Sequence, residues 1–255
     1  MIISFFEEFL TKENLNKAKL IDFPTKLYLA APSLKAFNRA KSSIKNKYIK
    51  EFIYWPILER NEGYWISPFS KRTALKRIFK EINNSRVPVM LDLELPTTQK
   101  PSLYVTQALN FLANKALIKR FIKDYNGQIY LAEYFPMGRR KLSIFKALGI
   151  HYSAKKAIII KMFYSSLHSF SINFLKTEFH TAKKRKYLIG LGTISTGIHG
   201  TDTILSKETL KRDLNLAKKA GIKETIIFRL GGLNKNYKKI IKNNQKRAKV
   251  SSQKK

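Results

Sequence analysis

The chain has 255 residues, with 50 Lys and Arg against 17 Asp and Glu, a formal net charge of +33 at pH 7, and no Cys. This length suits one large domain, the lack of Cys excludes disulfides and thiolate metal sites, and no apolar run approaches the roughly 20 residues of a membrane-spanning helix. No basic segment precedes the apolar start and Glu7 and Glu8 follow it at once, which is unlike a secretory signal, so we expect a cytoplasmic protein.

Apolar, β-branched or aromatic runs alternate with helical segments along the chain. We predict eight strands, at residues 2–6, 26–31, 52–57, 87–93, 128–133, 157–163, 187–192 and 225–230. Between them lie amphipathic segments that begin near a Ser or Thr or end before a Gly, which are the usual helix boundaries; these residues are Thr11, Ser33, Ser70, Ser206, Gly127 and Gly221.

Strict alternation of strand and helix predicts parallel strands joined by right-handed crossovers. Eight such units close a single α/β domain, a (β/α)8 TIM-type barrel, which we place at residues 1–245. The alternative is an open doubly wound sheet, but such a sheet usually has a glycine-rich turn after its first strand. No Gly follows the first predicted strand here.

The end of the chain is strongly basic. Nine Lys and Arg and no acid occur from Asn234 onward, and we expect residues 246–255 to be a disordered basic tail. Charge of this sign attracts nucleic acid, anionic lipid or an acidic polymer, so the tail is a candidate for weak contact with a polyanion. The alternative is that a Lys-, Ile- and Asn-rich composition reflects a biased genome.

Acidic residues are scarce, but several lie at predicted strand ends. Asp92 and Glu94 end strand four on one face, and Glu133 ends strand five. The carboxyl ends of barrel strands converge on one pocket, where neighbouring carboxyl groups take up different protonation states. This predicts glycosidic bond cleavage, with Glu94 as proton donor, Glu133 as nucleophile or base and Asp92 as modulator. The alternative is that these acids pair with Lys and Arg or cap helices.

Aromatic and polar residues at other strand ends are candidates for binding a sugar substrate. Tyr164, after strand six, could supply a stabilising hydroxyl group to the reaction. The candidates for substrate contact are Glu7, Tyr54, Trp55, Trp65, Tyr134 and Arg229. For the aromatic side chains, packing in the core or at the rim is the alternative interpretation.

The run Met90-Leu91-Asp92-Leu93-Glu94 resembles the end of the acidic ladder D-x-x-D-x-D-x-E of the chitinase-type barrels. In that family the last Glu is the general acid and the Asp two before it steers the substrate, which the resemblance assigns to Glu94 and Asp92. The segment Lys161-Met162-Phe163-Tyr164 is similar to the family's M-x-Y-D. Residues 87 and 90 are not acidic and Ser165 replaces the last Asp, so the resemblance implies a glycoside-hydrolase-like barrel without identifying a family.

Glycines cluster after strands seven and eight, where barrels commonly bind phosphate through backbone N–H groups. The candidate phosphate-binding residues are Gly192, Gly197, Gly231 and Gly232. Their alternative role is to make tight turns. A divalent cation could be held by Asp92, Glu94, Glu133 and His168, but no H-x-H or H-x-x-x-H pair occurs. We therefore predict no metal and no cofactor.

Three functions remain open from the sequence. The first is a barrel enzyme that cleaves a carbohydrate, a small-molecule or oligosaccharide substrate, with strand-end carboxylates. The second is a barrel enzyme for a phosphate-bearing metabolite held by the glycine loops. The third is a non-catalytic basic module that binds nucleic acid or an anionic surface.

Overall fold

Eight parallel strands follow one another in chain order around a closed barrel. The computed structural model describes residues 1–96, 100–134, 139–198 and 200–246. The strands are β1 (Ile2–Glu7), β2 (Thr25–Ala31), β3 (Ile49–Pro56), β4 (Val89–Asp92), β5 (Ile129–Tyr134), β6 (Ala157–Phe163), β7 (Leu188–Gly192) and β8 (Glu224–Phe228). The predicted (β/α)8 barrel is confirmed.

Helices occupy the segments between the strands. Within the described ranges they are α1 (Lys12–Asn16), α2 (Leu34–Ser43), α3 (Arg72–Asn83), α4 (Leu103–Thr106), α5 (Phe111–Asp124), α6 (Arg139–Leu148), α7 (Ile172–Arg185), α8 (Lys207–Lys219) and α9 (Lys235–Lys246). Short 3-10 turns occupy Lys17–Leu20, Arg60–Glu62, Ala108–Asn110 and Leu230–Gly232. None of these helices is long and apolar enough to cross a membrane. The predicted tail after Lys246 lies outside the described residues.

Side-chain caps fix several helix starts where the sequence predicted them. Thr11 accepts a hydrogen bond from the Asn14 N–H at 3.2 Å, and Ser206 accepts one from the Thr209 N–H at 3.1 Å. Ser70 does not cap α3, because its hydroxyl group donates to the Trp65 carbonyl at 2.8 Å and accepts from the Ser67 N–H. It ties the preceding loop together instead.

The chain forms two compact units. The first comprises Met1–Leu29, Arg39–Phe52 and Ile160–Lys255, and the second comprises Ala30–Asn38 and Ile53–Ile159. The core of the first unit includes Phe5, Leu210, Leu214 and Ala217. In the second, Phe79 of α3 stacks on Phe121 of α5 with ring centroids 4.2 Å apart.

Strand register shows which side chains of the second unit face the helices. Tyr54 is buried with its ring 5.1 Å from that of Phe37 in α2. Tyr54 pairs with Val89, and Val89 pairs with Ile129. Paired residues of parallel strands lie on the same side of a sheet and side chains alternate along each strand. Residues 131 and 133 therefore face the helices, whereas residues 92, 132 and 134 lie on the inner face.

Candidate active site

The inner face of the second unit carries a polar group where β4 and β5 end. Asp92 is the last residue of β4 and is buried, and Glu94 follows two residues later and is partly exposed. Tyr134, the last residue of β5, is 41% exposed and its hydroxyl group donates a hydrogen bond to Glu94 Oε2 at 2.9 Å. The structure thus brings together three of the predicted site residues.

Tyr134 is held in its protonated form. The negative charge of Glu94 raises the pKa of Tyr134 above its usual range, because it would repel a phenolate, and desolvation of the phenol acts in the same direction. Asp92 and Tyr104 also raise this pKa. A protonated Tyr134 can only donate to the Glu94 carboxylate, so it fixes the orientation of that carboxyl group.

Glu133 is not part of this group. Asp92 pairs with Ala132 across β4 and β5, so Glu133 points to the helix side of the sheet, opposite to Asp92. There it is fully buried and lies 2.7 Å from Nδ1 of His151. The sequence predicted that Glu133 shares one pocket with Asp92 and Glu94, but the observed pairing turns its side chain to the opposite face. Side chains alternate along a strand, so a change of one residue in register reverses the face of each of them.

His151 was missed by the sequence analysis. It precedes β6 rather than following a strand, so it does not stand at a predicted strand end. The only sequence signal is its position just after the α6 turn at Gly149. A buried carboxylate bonded to one imidazole nitrogen fixes which nitrogen is presented to the other side.

The loop between β3 and α3 packs firmly against the end of β4. The Ile66 N–H donates to the Asp92 carbonyl at 3.0 Å. Glu59 and Glu62 form a reciprocal capping box, and the Arg77 guanidinium lies 2.7 Å from the Glu62 carboxylate. These hydrogen bonds and the ion pair hold the loop in place next to the segment that carries Glu94.

The predicted aromatic platforms are mostly buried. Tyr54 faces α2 and has no open ring face for a sugar. Trp55 lies on the opposite side of β3, and Trp65 contacts Tyr64 edge to face at 5.4 Å, but both indoles are buried. Of these four aromatic residues, only Tyr134 is an exposed residue.

Glu7 and Arg229 form a buried ion pair in the first unit. Arg229 Nη1 lies 3.0 Å from Glu7 Oε1, and its Nε donates to the Thr196 carbonyl at 2.8 Å. The Phe9 and Gly231 N–H groups donate to the Glu7 carboxylate at 2.8 and 2.6 Å. These contacts engage both side chains within the protein, which leaves neither of them placed as a substrate contact.

The glycine loops are built around protein groups rather than an open anion site. The Gly197 N–H donates to Asp202 Oδ2 at 2.6 Å, the Gly231 N–H donates to Glu7, and the Gly232 N–H donates to the Arg229 carbonyl at 3.1 Å. A Cβ at Gly232 would overlap the Ile194 carbonyl oxygen. Close backbone packing explains this glycine.

Gly192 makes room for an aromatic contact. A Cβ there would lie 3.2 Å from the Tyr164 ring and 3.1 Å from the Phe228 side chain. Tyr164 is half-buried, with its ring 5.9 Å from that of Phe228. It belongs to the first unit, whereas Asp92 and Glu94 belong to the second.

The predicted metal ligands do not form one set. Glu133 points to the opposite face from Asp92, and among the described residues no group of three His, Asp or Glu is placed to hold a metal ion. His168 packs 5.5 Å from the Phe170 ring. His199, in the glycine loop, lies outside the described residues.

Neither the protein-family models nor the curated proteins give a match to this sequence. Similar solved structures are barrels of low identity. The chain is similar to the PgaB (BpsB) glycoside hydrolase domain from Bordetella bronchiseptica, with a TM-score of 0.52 and 10% identity over 100% of this chain and 99% of that one. It is also similar to the 3-keto-D-glucoside 4-epimerase YcjR from E. coli, with 0.50 and 12% over 96% and 99%.

A sugar phosphate isomerase/epimerase from Parabacteroides distasonis matches with a TM-score of 0.50 and 9% identity over 96% of this chain and 98% of that one. At identities this low, the structural similarity shows the shared barrel fold and nothing further. The fold is therefore common to a glycoside hydrolase domain and to two sugar-converting proteins.

Proposed function

We propose that this protein is a carbohydrate-acting enzyme in which Glu94 transfers a proton, and that the reaction is hydrolysis of a glycosidic bond. The observation that carries the proposal is the hydrogen bond from Tyr134 to Glu94 beside Asp92 at the carboxyl end of β4. In (β/α)8 barrel enzymes the catalytic residues lie at this end of the strands.

The three side chains take different roles. Glu94, in its protonated form, gives its proton to the glycosidic oxygen as the bond to the anomeric carbon breaks, and the hydrogen bond from Tyr134 stabilises the carboxylate that results. The resulting carboxylate then accepts a proton from the water that adds to that carbon, so the net reaction consumes one water. Asp92, buried two residues away, stabilises positive charge at the anomeric centre, and Tyr134 orients Glu94.

Asp92 ends β4 and Glu94 follows it by two residues, and the charges of both raise the pKa of Tyr134, which supports this division of roles. Like charges at short range disfavour ionisation of both groups at once, which is how enzymes keep one carboxyl group as an acid beside a second that is ionised. Tyr134 is exposed at the end of β5 and offers an aromatic side chain for a sugar to stack on. The shared barrel fold of a glycoside hydrolase domain and of sugar-converting proteins supports a carbohydrate as the substrate class.

The proposal predicts opposite outcomes for two Glu to Gln variants. Glu94→Gln removes the transferable proton and should lower kcat by at least about 100-fold. Glu133→Gln is the matched control on the other face of β5, and it should retain most of the activity. Turnover would be measured on a panel of glycosides by the appearance of new reducing ends, with the folded state of each variant checked by thermal unfolding.

Tyr134→Phe adds a test of the orienting contact. Loss of one hydrogen bond to a charged group should lower kcat roughly 10-fold, while KM changes little. Full activity of Glu94→Gln would reject the assignment. A second measurement follows the exchange of sugar C–H hydrogens in D₂O by NMR. If such exchange occurs and no new reducing end forms, the reaction at Glu94 is epimerisation or isomerisation rather than hydrolysis.

A further inference from the structure

Several large apolar side chains are exposed on the segment that follows β4. Val105 is 80% exposed, Leu109 100% and Leu112 74%. They lie in three consecutive elements, Val105 in α4, Leu109 in the 3-10 turn Ala108–Asn110 and Leu112 in the first turn of α5. The exposed residues Ala108, Ala113 and Ala116 lie among them. We call these six residues the 105–116 surface.

The other side of the same segment is well packed, so the exposure does not reflect a loosely attached helix. Leu103 and Ile118 are buried, and the Phe111 ring lies 4.9 Å from that of Phe69. Buried Asn114 donates to the Pro68 and Ser70 carbonyls at 2.9 and 3.0 Å. The segment is firmly attached to the rest of the second unit and presents its apolar side outward.

The charge beside this surface is positive. Residues 100–124 contain five Lys and Arg and one acid, Asp124. Lys119, Arg120 and Lys123 are exposed in the C-terminal half of α5, directly after the 105–116 surface. Exposed apolar side chains next to basic ones are typical of helices that lie in the interface of an anionic membrane.

We propose that the 105–116 surface binds an anionic membrane, with its apolar side chains in the headgroup region and the basic half of α5 on the lipid phosphates. The net charge of +33 favours this occupant over a second copy of the chain, because two copies would repel each other. No described helix is suited to cross a membrane, so the contact is at the surface. This proposal does not depend on the catalytic role of Glu94.

The surface also borders the candidate active site. Tyr104 lies in α4, packs against Phe69 with ring centroids 4.7 Å apart, and contributes to the raised pKa of Tyr134. A membrane contact at residues 105–116 would therefore place the Glu94 group beside the lipid headgroups.

The test is co-sedimentation of the full chain with vesicles of phosphatidylcholine alone and of phosphatidylcholine mixed with phosphatidylglycerol. The wild type should sediment with the anionic vesicles and only weakly with the neutral ones. The variant Val105→Ser/Leu109→Ser/Leu112→Ser should bind the anionic vesicles at least about tenfold more weakly, because it removes the apolar part of the contact. Its melting temperature should not fall, since these side chains are already exposed.

The matched control replaces three exposed apolar residues of the first unit, in the variant Leu167→Ser/Ile172→Ser/Ile204→Ser. It should bind the vesicles like the wild type. Equal binding by the 105–116 variant would show that charge alone holds the protein and would overturn the proposal. It would also be overturned if the wild type ignored both vesicles, or if light scattering showed a dimer that only the 105–116 variant dissolves.

Discussion

Burial of Glu7 and Arg229 makes their pairing a stability determinant rather than a binding feature. Glu7 ends β1 and Arg229 directly follows β8, and these strands pair from Ile2 with Glu224 to Phe6 with Phe228. The ion pair therefore ties together the first and last strands of the barrel. The Arg229 guanidinium also lies 4.7 Å from the centre of the Phe9 ring. Removing one partner leaves the other charge buried, which is costly.

We predict that Arg229→Met lowers the free energy of unfolding by about 3 kcal/mol. Burial raises the pKa of Glu7, although Arg229 and two backbone N–H groups oppose this. Without Arg229 the raised pKa should rise further. A carboxyl group that binds its proton more tightly in the folded state makes stability fall as pH rises above its unfolded value of about 4.3. Denaturant unfolding of the variant should therefore show a steeper decline with pH than the wild type.

The double variant Glu7→Gln/Arg229→Met is the internal control for this prediction. A neutral amide in place of the carboxylate should recover part of the lost stability and remove the added pH dependence. Equal stability of the single variant and the wild type at neutral pH would show that the Phe9 and Gly231 N–H groups suffice for Glu7.

Single residues show most clearly where sequence reasoning stops. The spacing of Asp92 and Glu94 predicted a shared face, and in the structure Tyr134 has a hydrogen bond to Glu94 and an electrostatic interaction with Asp92. The face of Glu133 could not be predicted, because it depends on the pairing of Asp92 with Ala132. The register depends on packing between strands that are distant in sequence. The alternation of apolar and polar residues within one strand does not specify which residue of the next strand it pairs with.

Elements were predicted more reliably than residues, since their signals are local. Strand four is shorter than predicted and begins at Val89, because Pro88 has no N–H to donate to the ladder. Strand three is longer than predicted and begins at Ile49. In the added part, Glu51 forms a 3.0 Å ion pair with Lys26 of β2. Polar residues at strand starts hid this extension from a reading based on apolar runs.

The last helix is attached to the first unit by both apolar and ionic contacts. Ile241 of α9 is fully buried, and Lys218 of α8 donates to the Asn244 carbonyl at 2.6 Å. Asp22 lies 2.6 Å from the Lys242 ammonium group and 3.3 Å from that of Lys238. The hydrogen bond from Lys242 is the main cause that lowers the pKa of Asp22.

We predict that Asp22→Asn lowers the free energy of unfolding by about 1 kcal/mol at neutral pH, a modest value because the three groups are partly exposed. A lowered pKa in the folded state gives stability above the unfolded value of about 3.9, and this stability is lost as pH falls. The difference between wild type and variant should therefore disappear in acid. The control is Asp124→Asn, which removes an exposed pair with Arg120 at 3.5 Å and should have a smaller effect. Equal effects of the two variants would contradict the stabilising role of Asp22 at α9.

At the scale of the whole molecule, the order of strands and helices was sufficient to predict the barrel, because few topologies satisfy strict alternation. The positions of charged groups were not predictable in the same way. Sequence placed glycines where barrels hold phosphate, yet the N–H groups of Gly197 and Gly231 are bonded to Asp202 and Glu7. The acceptor of each backbone N–H group depends on which loops lie next to each other in the folded chain, and this cannot be predicted from the local sequence.

This arrangement predicts how the whole molecule responds to anions. A net charge of +33 repels itself in the compact state, and salt screens that repulsion, so the melting temperature should rise with ionic strength. Chloride and low-millimolar phosphate at matched ionic strength should act alike, because the glycine N–H groups already have protein acceptors. A specific phosphate site would instead give a saturable rise, worth about 2.7 kcal/mol at 100 times its Kd. Such saturation, seen with phosphate and absent with chloride, would mean that phosphate displaces Glu7 or Asp202, and it would restore a phosphate-bearing metabolite as the substrate.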